Sequence, residues 1–269
     1  MNKQAAHFVG SIPDNYDRFL GPRIFHDFAD DLAQRALSTN PNQVLEVAAG
    51  TGIVTRRLRD ILPDDSHITA TDLNPPMLDV AKSKFLESER VVFESADATQ
   101  LPYEASRFDT VVCQFGVMFF PNKLKAYREV FRALVPGGHY LFNVWGPLES
   151  NPFAKIAHET VAEFFPQEPP GFYQVPFGYS DKSAILQSVS DAGFSEVSVE
   201  TLEITAQIPS SVEFATGLVF GNPLFDEIIS RGGEPSSVRT AISDALDSQL
   251  GATMPLQALV FVVQKPGIL

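Results

Sequence analysis

Cys113 is the only cysteine in 269 residues, so the chain can form no internal disulfide and no zinc–thiolate cluster. That usage fits a reducing cytoplasm. No window approaches the ~20 consecutive apolar residues a membrane-spanning helix needs, and the N-terminal stretch MNKQAAHFVG lacks a long apolar run. The chain therefore reads as cytoplasmic and soluble, with no membrane span. Basic residues are scarce, 20 against 33 acidic ones, and the net charge of -13 would repel a phosphate backbone. The one dense basic cluster, Arg56, Arg57 and Arg59, reads as a solvated helix face, so nucleic acid is not an expected partner. Internal repeats and low-complexity tracts are absent as well.

What is present is a balance of 44% hydrophobic and 20% charged residues, that of an ordinary globular protein able to bury a core. From residue 42 onward, apolar β-branched runs (QVLEVAA, HITATDL, VVFESADA, FDTVVCQFG, GHYLFNVW) alternate with helical patterns (VTRRLRDIL, PPMLDVAKSKFLES, KLKAYREVFRALV). Such alternation predicts an α/β fold with a doubly wound, mostly parallel sheet. The whole chain, 1–269, reads as one domain, its first 40 residues forming a cap of one or two amphipathic helices. Two segments interrupt the rhythm. Residues 146–180 are rich in proline and aromatics, and residues 209–254 look helical between two further strands, FSEVSVETLEITAQI and LQALVFVVQ. Both are expected as insertions at the sheet rim, either as covers over a ligand crevice or as extra core or a dimer face.

The stretch VLEVAAGTGIVTRRL carries a glycine turn between the first strand and a helix, where open parallel sheets bind ligands. Gly50 and Gly52 leave room for a ligand against the backbone, and Thr51 or Thr55 can cap the helix. The dinucleotide pattern G-x-G-x-x-G fails, because Thr55 stands at its third small position, and G-x-x-x-x-G-K-[ST] does not occur. A ligand without a diphosphate is implied. Asp72, about twenty residues past the glycines at the end of the second strand, can accept hydrogen bonds from both hydroxyls of a ribose. Asp97, after the third strand, could meet an adenine amino group. Taken singly, each aspartate is more often a helix cap or turn former; their positions after successive strands favour the ligand role.

At these residues the chain resembles the class I S-adenosylmethionine-dependent methyltransferases, particularly the bacterial small-molecule group related to ubiquinone and menaquinone biosynthesis. The resemblance spans about residues 16–145 and rests on VLEVAAGTG, Asp72, ADATQLPYEASRFDTVVCQFGVMFF and REVFRALVPGGHYLFNVW. Ala48 stands where the family signature usually has its first glycine, which is the one departure. The resemblance implies a Rossmann-like seven-stranded sheet whose last strand is antiparallel, and S-adenosylmethionine as cofactor. It implies that Glu46 orders the loop, that Gly50 and Gly52 lie against the methionine part with Ala48 and Thr51 also among the cofactor-binding residues, and that Asp72 holds the ribose. Asp97 and Ala98 would bracket adenine, with Leu73 and Met77 as apolar contacts. Gln114 and Phe115 would flank the methyl donor, and Tyr16 in YDRF would close the site.

Because the activated methyl comes from the cofactor, the protein's share is alignment, and a dedicated base is optional. His158 in the first insertion is the weak candidate for one. His139 lies at the wrong end of the fifth strand, His67 reads as surface, and spacing does not locate His7 and His26. Cys113 reads as a small core residue, and its strand lacks both the Pro-Cys of cytosine-C5 and the N/D-P-P-Y/F of amide methyltransferases. Trp145 ends the fifth strand at the ligand side, as pocket wall or core. No metal site is expected. The expected partner is a small, apolar or aromatic methyl acceptor. Two alternatives share the pattern: a non-catalytic cofactor-binding scaffold, and an NAD-dependent oxidoreductase, which Thr55 disfavours.

Overall fold

β-branched and aromatic runs bounded by polar turns become the seven strands of the chain: β1 Gln43–Val47, β2 His67–Asp72, β3 Val91–Ser95, β4 Phe108–Gln114, β5 Leu134–Trp145, β6 Ser195–Gln207 and β7 Thr253–Gln264. The computed structural model describes residues 6–267. One sheet holds all seven strands in the order β3-β2-β1-β4-β5-β7-β6. The first five are mutually parallel. β7 runs antiparallel to both its neighbours, β5 and β6, so the reversed strand sits one place in from the edge. The strand order turns back between β1 and β4, which opens a crevice beyond their carboxyl ends.

Some local expectations change. β5 begins at Leu134 rather than after the Pro-Gly-Gly sequence, because Leu134 already pairs with Phe108 before a register shift at Thr110. The helix after β2 spans only Pro75–Lys82. Arg59 is buried rather than solvated: its guanidinium donates to the carbonyls of Ser66 and Leu62 at 2.9 Å each, so it ties the end of its helix to the turn before β2. Arg56 and Arg57 are held in ion pairs, Arg56 with Asp60 and Glu89, Arg57 with Asp30. Neither threonine caps the helix Ile53–Ile61 with its side chain.

The N-terminal segment is helical from Ile12 to Leu37, but its middle, Tyr16–Phe25, is wound into wide π-helical turns. Pro22 lies inside them and has no N–H to give to a normal helical ladder, and wide turns absorb that defect. This segment packs against the helix Ser211–Phe220, where Arg23 and Glu213 pair at 2.6 Å. The two insertions are largely helical, with Pro152–Phe164 in the first and Ser211–Phe220, Leu224–Ser230 and Pro235–Gln249 in the second. Pro235–Gln249 packs on both Ser211–Phe220 and Pro152–Phe164, which joins the insertions into one layer at the rim of the sheet. Among the described residues, no helix is long and apolar enough to cross a membrane.

Candidate functional site

The turn after β1 holds three backbone positions with positive φ, Ala48, Gly50 and Gly52. Gly52 has φ 77°, and a Cβ there would lie 2.9 Å from that of Ala81, so only glycine lets the helix Ile53–Ile61 pass so close to Pro75–Lys82. Ala48, the departure from the glycine signature, holds φ 56° with its side chain in place. A left-handed alanine costs roughly 1–2 kcal/mol, and the surrounding structure must hold it there. Its methyl occupies space that Gly116 leaves open: a Cβ on Gly116 would come within 2.5 Å of it.

Beneath the turn, Glu46 is buried and accepts a hydrogen bond from the Thr55 hydroxyl at 2.5 Å. Burial pushes its carboxyl up to about 8, with the Thr55 bond opposing and the nearby Asp72 adding to the rise. The native protein therefore keeps a proton that the unfolded chain releases near pH 4.5, so this group's contribution to stability falls as pH rises from 4.5 to 8. Each pH unit in that window corresponds to ~1.4 kcal/mol at most. Glu46→Gln keeps an oxygen for Thr55 and removes the titration. Its melting temperature, measured between pH 5 and 8, is expected to gain steadily on that of the wild type as pH rises; parallel curves would count against a protonated Glu46.

Asp72 ends β2 as a buried carboxylate held from two sides. Gly50 N–H donates to Oδ2 at 2.9 Å, and the Asn74 N–H and side-chain amide donate to Oδ1 at 2.8 and 3.2 Å. Burial raises its pKa while these bonds oppose the rise. Asn74 in turn accepts from Phe8 N–H at 3.3 Å, so the aspartate also anchors the start of the N-terminal segment. Asp97 accepts from the N–H and hydroxyl of Thr99 at 2.7 and 2.8 Å, which makes it a turn former as well as a crevice residue.

One cavity of about 700 Å³ lies over these strand ends, within the usual range of ~300–1,000 Å³ for small-molecule sites. Of the residues singled out in the sequence, Tyr16, Ala48, Gly50, Asp72, Leu73, Met77, Asp97, Ala98, Gln114 and Phe115 line it. Glu46, Thr51 and Gly52 do not; they lie in and under the turn, and the buried Thr51 hydroxyl has no partner among the described residues. Gln114 directs its amide N–H to the carbonyl of Phe25 at 3.3 Å, and its buried Oε1 has no partner. That oxygen is an acceptor in need of a donor from a ligand. The Tyr16 ring stacks on Phe25 at 4.8 Å, and its phenol is kept protonated by burial and by the charges of Asp72 and Asp17.

The remaining walls are aromatic. Trp145 lines the cavity, stacked on Phe115 at 4.0 Å and on Phe177 at 5.6 Å, and Phe153, Phe172 and Tyr173 of the first insertion stand alongside. Phe164, Phe165 and Tyr179 of the same insertion lie outside. His158 is also outside the lining, with its Nδ1 buried and unpartnered, so it does not face the space where an acceptor would sit. His7 does line the cavity, which spacing could not have located. Cys113 is fully buried, and burial pushes its thiol up to about 12, so it is inert as a nucleophile at neutral pH. Among the described residues, no group of three or more His, Cys, Asp or Glu side chains could hold a metal ion.

Sequence reasoning missed Phe8, Val9, Leu20 and Ile24 from the N-terminal segment, Phe119 after β4, and Leu218 and Asn222 from the second insertion. Nothing local marks them. Asn74, two residues past Asp72 and directly before Pro75, carried a readable signal as a helix-start residue.

Residues 44–138 match the family model described as a methyltransferase domain. The chain is 33% identical over 150 residues to a demethylmenaquinone methyltransferase of Deinococcus radiodurans, covering 54% of this chain and 62% of that protein. It is 35% identical over 117 residues to a ubiquinone/menaquinone biosynthesis C-methyltransferase of Pseudomonas aeruginosa, covering 42% of this chain and 46% of the relative. The aligned regions thus span about half to three-fifths of these curated relatives. Among solved structures, the [4+2]-cyclase SpnF superposes with a TM-score of 0.59 at 19% identity, over 91% of this chain and 82% of that one, a likeness of fold. With its matched domain, its strand order and an acidic residue closing β2 beside a glycine turn, the chain is similar to the class I S-adenosylmethionine-dependent methyltransferases and carries a methyltransferase domain over residues 44–138.

Proposed function

We propose that this protein transfers a methyl group from S-adenosylmethionine to an O, N or C atom of a small, apolar or aromatic metabolite. The observation that carries the reading is the continuity of the cavity: polar groups at one side, Asp72, Asp97 and Gln114, open into an aromatic chamber around Trp145. The residues fit the cofactor. Gly50 presents no side chain to the space, Asp72 supplies a carboxylate for a ribose diol, and Gln114 Oε1 is a buried acceptor without a donor. When bound, S-adenosylmethionine supplies an activated methyl on a sulfonium.

The protein's own part is positioning and exclusion of water. Asp72 and Asn74 hold the nucleoside end and, through Phe8, draw the N-terminal segment across it. Tyr16 and Phe25 close that side, while Trp145 and Phe115 set the plane against which a ring can lie. Alignment of reactants can contribute ~7–11 kcal/mol without any proton transfer. This agrees with a chamber whose far wall, from Phe153 to Phe177, carries no histidine, lysine or carboxylate.

Calorimetry with S-adenosylmethionine and S-adenosylhomocysteine, followed by transfer of labelled methyl to a panel of phenols, quinols and amines, tests the reading. Micromolar binding and label incorporation into an apolar acceptor are expected. Binding without transfer to any acceptor would move the protein to the scaffold reading, and no binding at millimolar cofactor would defeat the assignment.

A further inference from the structure

Resting on the methyl-transfer reading, we infer that residues 171–177 form the wall that selects the acceptor, and that Glu227, outside the cavity, is the positioning residue that sets this wall. The wall contributes Phe172, Tyr173, Pro176 and Phe177 to the cavity, all apolar or aromatic. Phe177 stacks on Trp145, and Phe172 lies parallel to Phe119 at 6.3 Å, so the segment faces both the end of β5 and the turn after β4.

The chain leading into the wall, FPQEPPG from Phe165 to Gly171, cannot hold itself in place. Its three prolines have no N–H to donate, and it forms neither helix nor strand. It is fastened instead to the helix Leu224–Ser230. Glu227 is 8% exposed as a residue, and its carboxylate accepts from Gly171 N–H at 2.7 Å. Arg231 donates to the Glu168 carbonyl at 2.8 Å and to the Glu227 carbonyl at 2.9 Å. Tyr173 spends its hydroxyl hydrogen on the Leu218 carbonyl at 3.2 Å.

A buried carboxylate is costly, and no ion pair compensates Glu227 among the described residues. Its one side-chain partner there is the amide at the root of the wall. The carboxylate thus acts on the acceptor only through Gly171. Because the four lining residues offer no charge and Tyr173 has already committed its proton, the wall selects an uncharged ring by shape and apolar contact.

The test uses the full chain saturated with S-adenosylhomocysteine and 1-naphthol as a neutral ring probe. Three proteins are compared with the wild type: Glu227→Ala, Glu227→Gln, whose amide oxygen can still accept from Gly171, and Gly171→Pro, which removes the donor without touching the helix. Calorimetry is expected to show unchanged S-adenosylhomocysteine affinity in all four. Naphthol affinity is expected to fall about tenfold in Glu227→Ala and Gly171→Pro, through lost preorganisation, and to be retained in Glu227→Gln. Emission of Trp145, the only tryptophan, is expected to shift to the red in the first two and not in the third, as Phe177 leaves its ring. Naphthol failing to bind the wild type, or binding all four equally with unshifted emission, overturns the inference while the cofactor reading stands. Loss of S-adenosylhomocysteine binding by the wild type sinks the underlying reading instead.

Discussion

Asp72→Ala is expected to weaken S-adenosylhomocysteine binding by about a hundredfold or more, since hydrogen bonds to a charged group are worth ~1.5–3 kcal/mol each and the proposed role gives the carboxylate two ribose hydroxyls. Part of that loss is indirect. The alanine leaves Gly50 N–H and the Asn74 donors without their acceptor, so the glycine turn and the tether to Phe8 both loosen. Asp72→Asn separates the two contributions. Its oxygen can serve Asn74 or Gly50 but not both, because the amide nitrogen would confront a backbone donor. An intermediate affinity is therefore expected for it. Calorimetry gives the affinities, and the melting temperature without ligand shows whether each variant is folded. Asp97→Ala is the control: its carboxylate serves mainly the Thr99 turn, and a smaller loss is expected. Affinity untouched by Asp72→Ala would remove the nucleoside from this end of the cavity.

The largest expected effect on stability comes from Gly116→Ala. Gly116 has φ -97°, a conformation any residue adopts, so backbone strain plays no part. The added methyl would meet the Ala48 Cβ at 2.5 Å, on the cavity lining, and the Sγ of the fully buried Cys113 at 2.8 Å. Overpacking of that kind costs ~1–3 kcal/mol. Ala48→Gly alone is expected to be nearly neutral: relief of the left-handed alanine, about 1–2 kcal/mol, is offset by the greater chain entropy of glycine, ~0.4–1 kcal/mol, and by a lost methyl contact. Combined, the two changes should recover part of the loss, because one methyl vacates the space the other needs, while the clash with Cys113 persists. Denaturant melts of the two single variants and the double give the coupling directly, and additive effects would show that the two methyls do not compete.

This pair also shows how far the sequence could be read. Ala48 stands where the family signature usually has glycine, and the backbone there is left-handed although the residue is alanine. The methyl fits because of a glycine 68 positions later, across β4, and only the packed structure brings those two positions together. Arg59 teaches the same lesson in the other direction. Its neighbours Arg56 and Arg57 suggested a solvated face, yet Arg59 is buried, its guanidinium donating to three backbone carbonyls.

What the chain's own order of residues determined was the alternation of strand and helix, the glycine turn after β1, and the aspartates closing β2 and β3. These depend on side-chain periodicity and on backbone preferences that act over a few residues, so they are present in any short window. The walls of the cavity are of another kind. Phe8 and Tyr16, Trp145, Phe172 and Phe177, and Leu218 come from four separate stretches, and they meet because helices of both insertions and the N-terminal segment bury their apolar faces on one another at the open rim of the sheet. Burial is blind to sequence distance, and it drove a buried carboxylate at Glu227 onto the amide of Gly171, 56 residues away. The chemistry of the cofactor side was therefore written locally, while the shape offered to the acceptor emerged only when distant apolar surfaces closed over the strand ends.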